Sequence, residues 1–145
     1  RSIENDRFSA FTRIYGDAAR YLNAGYDETD PEKKKLAFEL AIEEMGKAYA
    51  ILPDSRALEG QAVGHYALEN DAEAERLFKQ VLIEDPQNSN ALIQLGNMKF
   101  NQAETMRGDE GAGIDKTAPF YTEALGYYET YLEAYPDQVE PGPAG

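Results

Sequence analysis

One spacing of small and large apolar residues occurs three times in the chain and restricts its fold more than any other feature. A small residue is followed four positions later by a larger apolar one, then by another apolar residue after three, and by proline after five more. The three sets are Ala41, Met45, Ala48 and Pro53; Ala74, Phe78, Val81 and Pro86; and Ala124, Tyr128, Tyr131 and Pro136. Residues i, i+4 and i+7 share one helical face, and proline stops a helix. Each set therefore predicts a helix with one buried stripe.

A second helical pattern lies upstream of each stripe. In the middle repeat it runs from about Ser55 to Leu68, and in the last repeat it occupies the stretch NALIQLGNMKF. The first repeat has a candidate helix from about Phe8 to Ala24, and Tyr15 or Gly16 is expected at the place where this helix contacts its neighbour most closely. Its apolar stripe is Phe8, Phe11, Tyr15, Ala18 and Leu22. No segment shows a sustained alternation of β-branched residues, so six helices and no sheet are predicted.

The helix starts support this assignment. Asp30 followed by Pro31 is typical of a helix N-cap and first position. Capping residues also follow two of the prolines, at Asp54 or Ser55 and at Asn88 or Ser89.

The stretch NALIQLGNMKF resembles the tetratricopeptide repeat (TPR) family, whose first helix carries a large apolar residue, then Leu-Gly, then an aromatic. Leu92, Leu95 and Gly96 match directly, and Phe100 lies one place past the usual aromatic. The resemblance covers residues 37–136. Pro53 and Pro86 are 33 residues apart, close to the family period of about 34. Pro86 and Pro136 are 50 residues apart, and the surplus falls in ETMRGDEGAGIDKTAP.

The resemblance implies an all-α fold, a right-handed α-solenoid of antiparallel helix pairs with three TPR-like repeats. We expect a single domain over residues 1–136, with repeats at about 8–53, 54–86 and 88–136. An inserted loop is expected at about 104–119, and a flexible tail at 137–145.

For this family the resemblance also implies a function, which is to bind a peptide or protein segment on the concave face formed by the first helices of the repeats. Asparagines on this face would bond a peptide backbone, and aromatic residues would receive its apolar side chains. The places of chaperone-tail clamps hold Glu59, Gly60, Ile93 and Gln94 instead of cations, which argues against that ligand. The inward-facing places are Arg56, Glu59, Val63, Tyr66, Asn90, Ile93, Gln94, Asn97, Phe100 and Asn101.

The last helix offers an alternative function, self-association of the chain. It is apolar over a wide arc and so requires cover on two sides. That cover is expected from its own repeat and from the tail, a further repeat or another chain. The candidate residues of this terminal interface are Tyr127, Tyr131 and Tyr135.

Charge and composition exclude several other classes of protein. The net charge of −13 argues against nucleic acid and anionic lipid as partners and favours a basic or apolar one. There is no cysteine, and no apolar run approaches the roughly 18 residues of a membrane span. The sequence begins at Arg1 without a signal-peptide pattern, so we read it as an excised soluble segment whose compartment, cytoplasmic or extracytoplasmic, is undetermined.

We find no motif for catalysis, cofactor binding or metal binding, and we predict a protein that is not an enzyme. His65, the single histidine, has no cysteine or second histidine to complete a metal site. The glycine-rich run 108–113 lacks the Gly-Lys-Ser/Thr of a phosphate loop and the donor pattern of a calcium loop. An enzyme with a site in the loop of the third repeat is kept as a remote alternative.

Overall fold

The computed structural model describes residues 2–138, which form six α-helices and a final 3-10 turn. The helices are α1 (Ile3–Asp27), α2 (Pro31–Ile51), α3 (Ser55–Ala67), α4 (Asp71–Glu84), α5 (Ser89–Gly108) and α6 (Ile114–Ala134), and the turn is Pro136–Gln138. Residues 2–138 contain no β-strand. The predicted all-helical fold is therefore confirmed.

The helices form two compact units that meet in sequence at Glu84 and Asp85. In unit 1, α1 packs on α2, α2 on α3 and α3 on α4, and in unit 2 α5 packs on α6. The three predicted repeats correspond to the hairpins α1–α2, α3–α4 and α5–α6. That these hairpins belong to one domain over residues 1–136 remains a prediction.

Side chains placed as N-caps begin α2, α3 and α5. Asp30, Asp54 and Asn88 each accept a hydrogen bond from a backbone N–H of the following turn, at 2.8 to 3.1 Å. These bonds satisfy donors that have no partner within the helix. Of the two candidate caps predicted for each of α3 and α5, Asp54 and Asn88 are the N-caps, and Ser55 and Ser89 are the first helical residues.

The three repeated alanines lie in the core, as the spacing predicts. Ala41 and Ala74 are 0% exposed, and Ala124 is 2% exposed. Each stands on the second helix of its hairpin. A small side chain at this place lets the neighbouring helix approach closely.

Glycines create two further close contacts within hairpins. A Cβ atom on Gly96 of α5 would lie 2.5 Å from Cε1 of Tyr128 in α6. A Cβ atom on Gly25 of α1 would lie 2.7 Å from Cε1 of Phe38 in α2. Gly25, rather than Tyr15 or Gly16, therefore marks the close approach of the first hairpin, since a Cβ on Gly16 would meet no atom within 4 Å.

Two further sequence expectations were wrong. The loop expected at 104–119 is limited to residues 109–113, because α5 continues to Gly108 and α6 already begins at Ile114. Phe8, assigned to the buried stripe of α1, is 57% exposed. The guanidinium of Arg7 donates hydrogen bonds to the carbonyl oxygen of Ile51, the last residue of α2. The first turns of α1 therefore lie at or beyond the C-terminal end of α2.

The predicted tail, 137–145, lies mostly outside the described residues. Its first two residues belong to the final 3-10 turn.

Candidate functional site

A groove of about 190 Å³ in unit 1 is the strongest candidate for a binding site. It lies between α1 and α3, the first helices of two neighbouring hairpins, and α2 contributes Met45. Its lining is Tyr15, Ala19, Leu22, Asn23, Tyr26, Met45, Arg56, Glu59, Gly60 and Val63.

Glycines of α3 set the base of this groove by letting α3 approach α2. A Cβ on Gly60 would lie 2.6 Å from Cε of Met45, and a Cβ on Gly64 would lie 2.6 Å from Cγ1 of Ile42. Larger residues at these places would push α3 away from α2. The base of the groove is therefore apolar and formed by a buried methionine.

Arg56 lies at one side of the groove and is held in place by both charge and packing. Its guanidinium forms two hydrogen bonds with the carboxylate of Asp54, at 3.0 and 2.9 Å. It also lies 5.6 Å from the ring centre of Phe11 and 5.8 Å from that of Tyr15. The hydrogen bond with Asp54 raises the pKa of Arg56, and Arg56 lowers the pKa of Asp54. Its charge is thus already balanced by a neighbouring carboxylate.

Tyr15 lies beside Arg56 in the lining of the groove, which also includes Glu59. Partial burial raises the pKa of the Tyr15 hydroxyl, and the nearby charge of Glu59 raises it further. The hydroxyl accordingly stays protonated at neutral pH and is able to donate a hydrogen bond to a ligand.

Three of the four residues predicted on α3 belong to this groove. Arg56, Glu59 and Val63 line it, whereas Tyr66 is half-buried and does not. Sequence reasoning missed the contribution of α1, because Tyr15 and Leu22 were assigned to the stripe that packs inside the hairpin. The spacing of Tyr15, Leu22 and Tyr26, seven and then four residues, places them on one helical face and could have revealed that contribution.

The six residues predicted on α5 are largely engaged within unit 2. Asn97 accepts a hydrogen bond of 2.6 Å from the Tyr128 hydroxyl, and Phe100 packs edge-to-face on Tyr121 at 5.8 Å between ring centres. The amide of Gln94 lies 3.4 Å from Asn90. Ile93 is half-buried and Asn101 is exposed. That α3 and α5 contribute to a single concave face remains a prediction.

The tyrosines proposed as a terminal interface are half-buried in unit 2. Tyr131 and Tyr135 have ring centres 5.2 Å apart, and the Tyr135 hydroxyl donates to the carbonyl oxygen of Gln87. Tyr127 is also half-buried. Each side chain keeps part of its surface exposed, and self-association through these tyrosines remains a prediction.

Lys99 is a buried cation that sequence reasoning overlooked. It is 7% exposed, its ammonium lies 3.4 Å from a carboxylate oxygen of Glu123, and it stands 5.6 Å from the ring centre of Phe120. It takes the place where the TPR pattern has an aromatic residue. Because Phe100 lies one place past the usual aromatic, the sequence already indicated that a different residue, Lys99, occupies that place.

A second, larger depression of about 760 Å³ lies between the start of α2 and the turn from α3 to α4. Charges of both signs surround it, including Lys34, Lys35, Glu39 and Glu69, and Lys35 lies 3.8 Å from Glu39. Its apolar wall is formed by Phe38, Ala67 and Leu68. The mixed charges do not select one class of ligand.

Within residues 2–138, no group of three or more histidine or carboxylate side chains is placed to hold a metal ion. None of the helices in this part of the chain has the length and apolar character that crossing a bilayer requires. Compared with known proteins by sequence, the chain matches no family model and no curated protein.

Proposed function

We propose that the chain is a TPR-like repeat protein without enzymatic activity, and that it binds a peptide or protein segment in the groove between α1 and α3. The observation that carries this proposal is the groove itself, with an apolar base and a polar rim between the first helices of two successive hairpins. In the family that the sequence resembles, these helices line the ligand-binding face.

The size of the groove favours a side chain over a whole cofactor. Small-molecule pockets usually measure about 300–1,000 Å³, whereas this groove measures about 190 Å³. Its apolar surface comes from Leu22, Met45 and Val63. We therefore expect an apolar side chain of an extended or helical segment to enter it.

Polar groups at the rim would orient the backbone of that segment. Asn23 offers an amide donor and acceptor, and Tyr15 offers a hydroxyl. Tyr26, which is 55% exposed and packs edge-to-face on Phe38, offers a large rigid surface for contact. Arg56 and Asp54 neutralise one another, so apolar fit rather than a single charge would determine binding.

Peptide display followed by affinity measurement tests this proposal. The whole chain would be screened with random peptides, and the selected peptides measured by fluorescence anisotropy against Tyr26→Ala and Val63→Glu. We expect each change to weaken binding by about tenfold or more, because aromatic and central apolar contacts dominate such interfaces.

Tyr21→Ala is the matched control, since Tyr21 stands on the same helix, is partly exposed and does not line the groove. Its affinity should stay within about twofold of the unchanged chain. Equal losses in all three variants, or peptides that bind only elsewhere, would contradict the proposal.

A further inference from the structure

The outward face of α6 carries two exposed leucines in register. Leu125 is 56% exposed and Leu132 is 43% exposed. They are seven residues apart, so they lie two turns from one another on the same side of the helix. Gly126 adjoins them, and a Cβ atom added there would meet nothing within 4 Å. This face is therefore an accessible apolar strip, with an open position beside it at Gly126.

The exposed charged side chains that α6 carries after Lys116 are all acidic. Lys116 is the last basic residue of the chain, while Glu129 and Glu133 are exposed on α6 beside the leucines. Glu123 is also exposed and lies 3.4 Å from the ammonium of Lys99. Carboxylates near the C-terminus of a helix are unfavourable next to its dipole, and a cation there is stabilising. The strip is thus complementary to a ligand that is both apolar and basic.

A second copy of the chain would be a poor match for this strip. Two such faces, paired through Leu125 and Leu132, would bring Glu129 and Glu133 of both copies together, and the part of α6 after Lys116 contains no cation to separate them.

We propose that the outward face of α6 docks a basic amphipathic helix of another protein. Apolar side chains of that helix, spaced by seven residues, would cover Leu125 and Leu132, and its lysines or arginines would face Glu129 and Glu133. Helices of this kind bind apolar strips through residues at i, i+3, i+4 and i+7. The site is on unit 2 and does not depend on the groove of unit 1.

The test uses a designed probe and the whole chain. The probe is an 18-residue helix of roughly five turns, with leucine along one face and lysine beside it. Two reference peptides keep the leucines, one with glutamate and one with glutamine in place of lysine. Affinities would be measured at about 150 mM salt, where attraction between distant charges is screened.

We expect Leu125→Ser with Leu132→Ser, and separately Glu129→Lys with Glu133→Lys, to weaken probe binding about tenfold or more. The matched control is Leu36→Ser with Glu43→Lys, which changes an exposed leucine and an exposed glutamate on α2. Its effect should be less than about twofold. Far-UV circular dichroism confirms that each variant stays helical, and the amide signal of Gly126 should shift when the probe binds.

Three results would overturn the proposal. Equal weakening in the control variant would show general attraction to an acidic protein. Equal binding of the glutamate peptide would remove the role of charge. Sedimentation that shows a dimer of the chain, dissociated by the two serine substitutions, would assign the face to a second copy.

Discussion

Helices α2 and α6 have the same length of 21 residues and the same stripe spacing, yet they are buried to very different extents. Four residues of α2 are buried, Phe38, Ala41, Met45 and Ala48, whereas only Thr117 and Ala124 are buried on α6. Within its unit, α2 packs against both α1 and α3, while α6 packs against α5 and the final turn. The spacing of a stripe thus specifies the face toward the partner helix, but the number of neighbours determines how much of the helix is covered.

Phe38 of α2 and Tyr121 of α6 occupy equivalent places, three residues before the repeated alanine of their helix. Removing the aromatic ring at this place is expected to have the largest effect. Phe38→Ala should lower the free energy of unfolding by about 3–5 kcal/mol, because Phe38 is 1% exposed and its loss leaves a cavity. Tyr121→Ala should cost about 1–2 kcal/mol, since the half-buried Tyr121 loses a contact with Phe100 and a hydrogen bond of 2.6 Å to Glu104. Urea unfolding of both variants gives the values. Similar losses would mean that α6 is covered as fully as α2.

Adding one methyl group at a helix contact should have the next largest effect. Gly64→Ala and Gly96→Ala should each lower stability by about 1–2 kcal/mol, because the new Cβ would lie 2.6 Å from Ile42 or 2.5 Å from Tyr128. Gly126→Ala on the outward side of α6 should instead raise stability by about 0.5–1 kcal/mol, through helix propensity alone. Thermal unfolding of the three variants measures these differences. A loss at Gly126 would show that the outward side is already occupied.

The turns before α4 and α6 allow a smaller test with opposite signs. Glu69 has a φ of 63° and Gly111 a φ of 64°, a conformation that glycine adopts without steric cost. Glu69→Gly should raise stability by about 0.5–1 kcal/mol, and Gly111→Ala should lower it by about 1 kcal/mol. The midpoint of urea unfolding reports both. The prediction for Glu69 fails if glycine lowers that midpoint.

The smallest effect concerns pH and belongs to unit 1, because His65 is the only histidine in the chain. Burial lowers the pKa of His65. Between its folded pKa and about 6.5, the unfolded chain therefore binds more protons than the folded one. Stability is then greatest above pH 6.5 and decreases slightly as the pH falls through the folded pKa. His65→Gln should reduce the change in the free energy of unfolding between about pH 7 and pH 5. If that change stays the same in the variant, the pH dependence of stability belongs to other groups.

The sequence alone predicted the inner faces of the helices, because burial against one partner repeats at helical spacing. Ala41, Ala74 and Ala124 could be identified in this way, and so could the caps at Asp30, Asp54 and Asn88. The ends of α5 and α6 were misjudged because glycine and proline were taken as loop signals. Only residues 109–113 are in fact outside the helices. Pro119 lies inside α6, near its start.

The groove between α1 and α3 was only half predicted, for a related reason. The places on α3 follow from a local pattern, and Arg56, Glu59 and Val63 were found by it. The contribution of Tyr15 and Tyr26 depends on how α1 is rotated against its neighbours. That rotation is set by contacts between distant residues, such as Gly25 with Phe38, which a local pattern does not reveal.

The burial of Lys99 makes this side chain a natural reporter of the integrity of unit 2. Reagents that acylate amines react with lysine side chains that are exposed to solvent. Lys99 is buried and should therefore be labelled far more slowly than the exposed Lys116. Mass spectrometry would compare the labelling rates of the two lysines and so report local unfolding of unit 2 without any substitution in the chain. The exposed Lys116 serves as the internal reference for the rate.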